Sequence, residues 1–285
     1  MKNEFNKIKR RVDDAISLAF SVGKINDSHL ILPMKYAVLS PGKRIRGVLT
    51  LYFCERLSVP EEQALPFAVA LEMIHAYSLV HDDLPEMDND DVRRGLPTCH
   101  KKFDHATALL AGDGILNFAV EYLLSHREQY DSNAFLNAMK VLFSASGAQG
   151  MLNGQVIDKI GEIRELSLDE LLELHRMKTG ALLLAPIHIA EALSYHKNEN
   201  YVNYCSSIGL AFQIRDDILD VEGNAQVLGK EIGKDVSENK STFTSILGLS
   251  EAKRYLECEL ELAKNAVAND PFLLWIAEYI GAREK

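Results

Sequence analysis

Apolar residues recur along this chain at the three-and-four spacing of helices almost from end to end. Phe5, Ile8, Val12, Ala15, Ile16 and Ala19 make one such stripe, which a 3.6-residue period gathers on a single face of an opening helix. Comparable stripes predict helices over about 43–57, 61–84, 105–127, 132–157, 167–195, 200–222, 250–268 and 271–282. Two start signals agree. Ser167-Leu-Asp-Glu170 reads as a capping box, and Asp270-Pro271 as an N-cap with proline at the first helical position. No segment alternates like a strand between hairpin turns. No repeat, low-complexity tract or Pro/Gly/Ser linker divides the chain, so residues 1–285 read as one all-α domain. Three interruptions are long, polar and charged, at about 85–104, 158–166 and 223–240. On a helical scaffold, such loops are where function concentrates.

The first interruption opens with Asp82-Asp83-Leu-Pro-Glu-Met-Asp88, trailed by Asn89, Asp90 and Asp91. An apolar helix delivers Asp82 and Asp83 at its C-terminal end, where the helix dipole disfavours negative charge. A divalent cation would compensate. Magnesium takes hard oxygen ligands, one or two carboxylates together with substrate phosphates. Asp88 would lie on the wrong face of a continuous helix, but Pro85 ends the helix near Leu84 and lets the chain return. Taken alone, an aspartate pair is more often a solvated loop. A second cluster changes that balance: Asp216-Asp217-Ile-Leu-Asp220 closes another apolar segment. Asp216 and Asp220, four residues apart, share a helix face, and Asp217 points about 100° away. Both clusters lead into basic loops, and together they predict two walls of one metal–diphosphate site.

Composition narrows the partner. Hydrophobic residues are 47% and charged residues 25%, an ordinary globular balance, and the net charge of −10 argues against a nucleic-acid binder. Basic clusters within an acidic chain point instead to a small anion. They are Gly42-Lys43-Arg44-Ile-Arg46 behind Pro41, Arg93-Arg94-Gly95, Lys178-Thr179-Gly180, and Lys230, Lys234 and Lys240. Arginine's planar fork suits phosphate oxygens, with lysine as a point charge. Cys54, Cys99, Cys205 and Cys258 are scattered, giving neither a zinc site nor a disulfide framework and suiting a reducing cytoplasm. The charged N-terminus lacks the apolar stretch of a signal peptide. The most apolar run, Ala181 to Ala190, is too short to span a bilayer, so no stable membrane insertion is expected.

The segments ALEMIHAYSLVHDDLPEMDNDDVRRGLPTCHKKF, PGKRIR, HRMKTGALL, GLAFQIRDDILD and GKEIGKDVSENKSTF resemble, in the same order, the trans-prenyltransferase family and within it the bacterial farnesyl diphosphate synthases. The resemblance implies an isoprenoid-synthase-type helical bundle around a deep central cavity, forming a cytoplasmic homodimer. It implies Mg2+-dependent condensation of isopentenyl diphosphate with dimethylallyl or geranyl diphosphate to farnesyl diphosphate; geranylgeranyl or geranyl diphosphate is the alternative product. By the same resemblance Asp82, Asp88, Asp216 and Asp220 are metal positions, with Asp83 and Asp217 beside them. Lys43, Arg46, His75 and Arg94 match positions holding isopentenyl diphosphate. Arg93, Lys178, Thr179, Gln213, Lys230 and Lys240 match those around the allylic diphosphate, where Lys178, Thr179 and Gln213 also serve the nascent cation. Gln155 and Asp158 resemble a further motif, with structural roles equally open. The chain departs from the pattern at Pro41, where glycine is usual, and at Gly47, where proline often stands.

Other readings stay on the table. A terpene cyclase would lack Lys43, Arg46 and Arg94. A di-iron protein could use Glu72-Met-Ile-His75 but needs a second copy, and a non-catalytic subunit would have lost its aspartates. Product length is what the sequence specifies least: Tyr77 and Ser78 lie about one helical turn before Asp82, where an aromatic ring would floor a tunnel for the growing chain or else simply pack in the core.

Overall fold

The computed structural model describes residues 1–21, 29–222 and 240–283. They are helical almost throughout and gather into two compact units. The N-terminal unit holds Lys2–Met139 and Ile189–His196; the C-terminal unit holds Lys140–His188 and the described part of Lys197–Lys285.

In the N-terminal unit, α1 (Lys2–Ala19) buries every residue of its predicted stripe. A second helix, α2 (Ile31–Leu39), escaped prediction because its period is weak: it buries only Pro33, Met34 and Val38, while Leu32 and Leu39 stay exposed. Next come α3 (Ile45–Arg56) and α4 (Glu61–Asp82). α4 is apolar on nearly all sides and buried to match, as a central helix must be. The loop after it contains an unpredicted hairpin, β1 (Val92–Arg93) with β2 (Leu96–Pro97), and the short α5 (Cys99–Lys102). Arg94 and Gly95 both take positive φ (55° and 77°), as the central residues of a tight two-residue hairpin do. α6 (His105–Ser125) is capped by Asp104, whose side chain accepts from Thr107 N–H. It packs on α4, buries a stripe of mostly small residues, Ala108, Ala111, Gly112 and Ala119 with the larger Ile115, and leaves Leu109, Leu110 and Leu124 exposed. Both α4 and α6 are long and apolar enough to cross a membrane, but 78% of α4's most apolar window is buried against 33% of α6's.

The expected helix over 132–157 is two helices, α7 (Ser132–Ser146) and α8 (Met151–Gly161). Gly150 makes the break: at φ −146° and ψ −124° it is non-helical, and a Cβ there would lie 2.1 Å from the Ala145 carbonyl oxygen. α8 then runs into the stretch expected as the loop 158–166. The capping box at Ser167 forms as predicted and starts α9 (Leu168–His175). A five-residue π-turn, Arg176–Gly180, links α9 to α10 (Ala181–Ser194). α11 (Glu199–Glu222) packs against α13 (Leu249–Ala266) through Leu210, Ala211, Ile214 and Ile218, with Phe243 of α12 (Phe243–Leu247) in the same core. α14 (Pro271–Gly281) begins at the predicted Asp270 cap and is tied to α11 by Tyr204 Oη, which donates to Leu273 O at 2.8 Å.

Candidate active site

The N-terminal unit carries a cation cluster beside an acidic turn. Arg44, just before α3, sits in the left-handed region (φ 53°). It is buried and fully engaged, donating to Asp13 at 2.9 Å, to the carbonyls of Val38 (2.8 Å) and Ser40 (3.0 Å), and pairing with buried Glu72 at 3.6 Å. Arg44 is therefore a pin, and its neighbours Lys43 and Arg46 are what it positions. Glu72 also accepts the Gly47 N–H at 2.8 Å, a bond that proline at this position could not donate. The departure at Gly47 thus adds a tether rather than slack. Arg46 Nε is buried with no hydrogen-bond partner among the described residues, and burial lowers this guanidinium to about 10, still charged at neutral pH. Arg94 swings from the hairpin to lie against Gly42, where a Cβ would stand 2.8 Å from its Nη1. Burial first, then the charges of Arg46, Arg94, Arg93 and Arg44, hold His75 well below the ordinary imidazole range. The arrangement is a concentrated positive field with an orphaned donor, which an anion would satisfy.

The acidic turn closes on itself. α4 ends at Asp82, and Asp88 N–H donates to Asp82 O at 2.8 Å, so the chain returns beyond Pro85 as the sequence predicts. Arg93 bonds Asp83 at 2.5 Å and Asp90 at 2.9 Å. Burial raises the Asp83 carboxyl to about 7, although Arg93 pulls the other way. Arg93, assigned to a diphosphate from the sequence, here clasps the acidic loop.

The C-terminal unit holds the other assigned residues. Asp216 and Asp220 share a face of α11 one turn apart. Asp220 is buried, and its Oδ2 has no hydrogen-bond partner among the described residues. Asp217 points elsewhere, as expected: it accepts the Phe243 N–H at 2.8 Å, capping α12, and lies 3.8 Å from His175. Asp216 pairs with Arg283, which stacks over Phe212 at 4.1 Å while its carbonyl accepts two bonds from Arg215. The π-turn carries Lys178 and Thr179. Lys178 Nζ donates to Asp158 at 2.6 Å, and Thr179 Oγ1 donates to Gln213 Oε1 at 2.8 Å. Gly154 admits the turn, since a Cβ there would stand 2.3 Å from Lys178 N. Lys240 lies 3.9 Å from Glu162. Lys230 and Lys234 fall outside the described residues.

Residue type and spacing did not reveal Arg44 as a pin rather than an anion ligand, Glu72 as a tether, Asp158 as the partner of Lys178, or Arg283. Only Gly154 and Asp158, four apart and so on one helix face, left a usable signal.

The Polyprenyl synthetase family profile matches residues 27–270. The chain belongs to that family. A farnesyl diphosphate synthase of Haemophilus influenzae is 40% identical over 99% of this chain and 98% of its own length. Among solved structures, a geranyltransferase of Legionella pneumophila superposes with a TM-score of 0.86 at 30% identity, covering 98% of this chain and 96% of the other. A geranyltransferase of Helicobacter pylori, complexed with magnesium and isoprenyl diphosphate, superposes at 0.78 with 28% identity, covering 96% and 95%.

Proposed function

We propose that this polyprenyl synthetase is a farnesyl diphosphate synthase, joining isopentenyl diphosphate to dimethylallyl and then geranyl diphosphate. The observation that carries the reading is the retention, in this geometry, of both group types the reaction needs: carboxylate oxygens, one of them buried and unpartnered, and a cation cluster with an unpartnered guanidinium nitrogen. Near-full-length similarity to a farnesyl-forming relative supports the product.

The donor set fits magnesium, being all carboxylate oxygen with one buried oxygen unpartnered. The carboxylates that would hold it are Asp82 and Asp88 after α4 and, considered separately, Asp216 and Asp220 on α11. Bound there, the metal would supply Lewis-acid withdrawal of charge from the leaving diphosphate. Arg46, Arg94 and Lys43 bind the isopentenyl diphosphate, and neutral His75 offers a hydrogen bond without adding charge. Lys178 balances the allylic diphosphate. Thr179 commits its hydroxyl proton to Gln213, which leaves its lone pairs oriented as a fixed dipole toward an allylic cation. The isopentenyl double bond attacks that cation, and the departing diphosphate takes the proton released. Covering residues must exclude water, or the cation ends as an alcohol.

Three coarser readings go with this. The family profile spans both compact units, which supports one functional domain. The exposed leucines of α6 support a homodimer built on that helix. The burial of α4 supports a soluble, cytoplasmic enzyme with no stable membrane insertion. Incubation with labelled isopentenyl diphosphate and each allylic primer, followed by chain-length analysis, tests the main claim. Farnesyl diphosphate is the expected product. Absence of any condensation product refutes the reading, and a geranylgeranyl or geranyl end-point moves it to the alternative.

A further inference from the structure

Tyr77 and His81 stand one turn apart on α4. Tyr77 is buried, and the His81 ring meets it edge-on, with centroids 5.8 Å apart and planes at 78°. The imidazole is itself held from α6. Its Nε2 lies 3.0 Å from the Leu109 carbonyl oxygen, a pairing that makes this nitrogen the donor. The ring fills a hollow over Gly112, where a Cβ would stand 2.1 Å from Nε2 and 2.3 Å from Cδ2. Glycine serves close approach here, since its backbone is ordinary helix. Residues 77, 81 and 112 thus form a continuous buttress running from the α6 backbone to an aromatic ring.

We propose that His81, seated on Gly112, is a specificity-determining residue: it braces Tyr77 across the path of the growing allylic chain and so sets where elongation stops. This rests on the farnesyl reading above, with the allylic diphosphate anchored near Asp82. Tyr77 lies five residues before Asp82, about 7.5 Å along the helix axis. A ring that stops a chain must resist being pushed aside, and a tyrosine has only two side-chain torsions to fix. Packing supplies that resistance, because the space a rotated Tyr77 ring would need on this side is filled by imidazole. Removing the imidazole, or lifting it off its seat, gives the floor somewhere to go, and the tunnel lengthens.

The test measures product chain length for the wild type, Tyr77→Ala, His81→Ala, Gly112→Ala and the His81/Gly112 double variant, using isopentenyl and geranyl diphosphates at equal extents of reaction. His81→Ala and Gly112→Ala should each raise the ratio of geranylgeranyl to farnesyl product by roughly 2- to 12-fold, the range spanned by an edge-on ring contact. Tyr77→Ala should exceed both. Thermal unfolding reads the seat independently of turnover: Gly112→Ala should lower Tm in the wild type but scarcely in His81→Ala, because the added methyl then enters vacated space. If Gly112→Ala fails to fold, His81→Ala carries the test. A wild type that makes farnesyl, with a His81→Ala variant keeping the wild-type ratio, overturns the brace alone. An unchanged ratio in Tyr77→Ala overturns the floor and the brace together. A wild type that makes no farnesyl product refutes the function reading, and the brace with it.

Discussion

The two aspartate clusters close helices of similar length, α4 and α11, yet they manage their charge by different means. The first is local. Asp83 finds Arg93 ten residues on, Asp90 shares that arginine, and Asp88 returns to the Asp82 carbonyl within one turn of chain. The second is assembled from afar. Asp216 is paired with Arg283, 67 residues away, and Asp217 caps a helix that starts 26 residues later. A local cluster forms when its loop forms. A distant one forms only when the end of the chain has docked on α11. Identical residue types therefore carry different dependences on the rest of the fold.

The sharpest test of that difference is to remove one aspartate from each cluster. Asp82→Ala and Asp216→Ala should both cut turnover at saturating magnesium by at least about a thousandfold, from the several kcal/mol that a metal contact contributes. Asp216→Ala should lower Tm more than Asp82→Ala does, because it removes the carboxylate that pairs with buried Arg283. Equal Tm losses in steady melting experiments would erase the distinction between local and distant clusters.

A second test asks what holds the cation cluster. Arg44→Ala removes the ion-pair partner of buried Glu72, leaving it the Gly47 N–H, and frees two carbonyls, so unfolding free energy should drop by about 3–5 kcal/mol in denaturant titrations. A loss confined to activity would show Arg44 acting on substrate rather than as a pin.

Substrate preference comes next. Arg94→Ala or Lys43→Ala should weaken use of isopentenyl diphosphate, and Lys178→Ala use of the allylic partner, each by roughly 10- to 150-fold in kcat/KM, the worth of a charged hydrogen bond. Steady-state kinetics varying one substrate at a time would show it. Uniform losses on both substrates would mean that the two regions do not divide the work.

The smallest effect is in pH. His75 is held neutral in the fold, its folded value depressed below the unfolded one near 6.5. Below that unfolded value the denatured chain gains a proton that the native chain refuses, so stability is lost as pH falls. The contribution is about 1.4 kcal/mol for each pH unit until the folded group itself titrates. His75→Gln should therefore lose less stability than wild type between pH 6.5 and 5.5, which paired melting curves would reveal.

Most of the helices were legible because a buried face imposes its period on the sequence. The stripe of α1, the capping box at Ser167 and the cap at Asp270 all stand where the pattern placed them. So were the aspartates and basic clusters, whose chemistry is written in residue type and spacing. Short-range exceptions were lost. α2 has too narrow a buried stripe to register. The Arg94-Gly95 hairpin is a two-residue event inside a charged loop. Gly150 looks like any helical glycine until its neighbours show that no Cβ fits.

By itself the sequence determined the helical class, the two acidic helix ends and the groups proposed to bind diphosphate and metal, since periodicity and side-chain chemistry are local properties. Tertiary structure alone decided which charges neutralise which. Arg44 became a pin, Arg93 a clasp and Arg283 a counter-ion for Asp216, while Asp158 took Lys178 and His81 settled on Gly112. Ion pairs and close approaches depend on distances of a few ångströms between positions tens of residues apart, and no one-dimensional pattern records those distances.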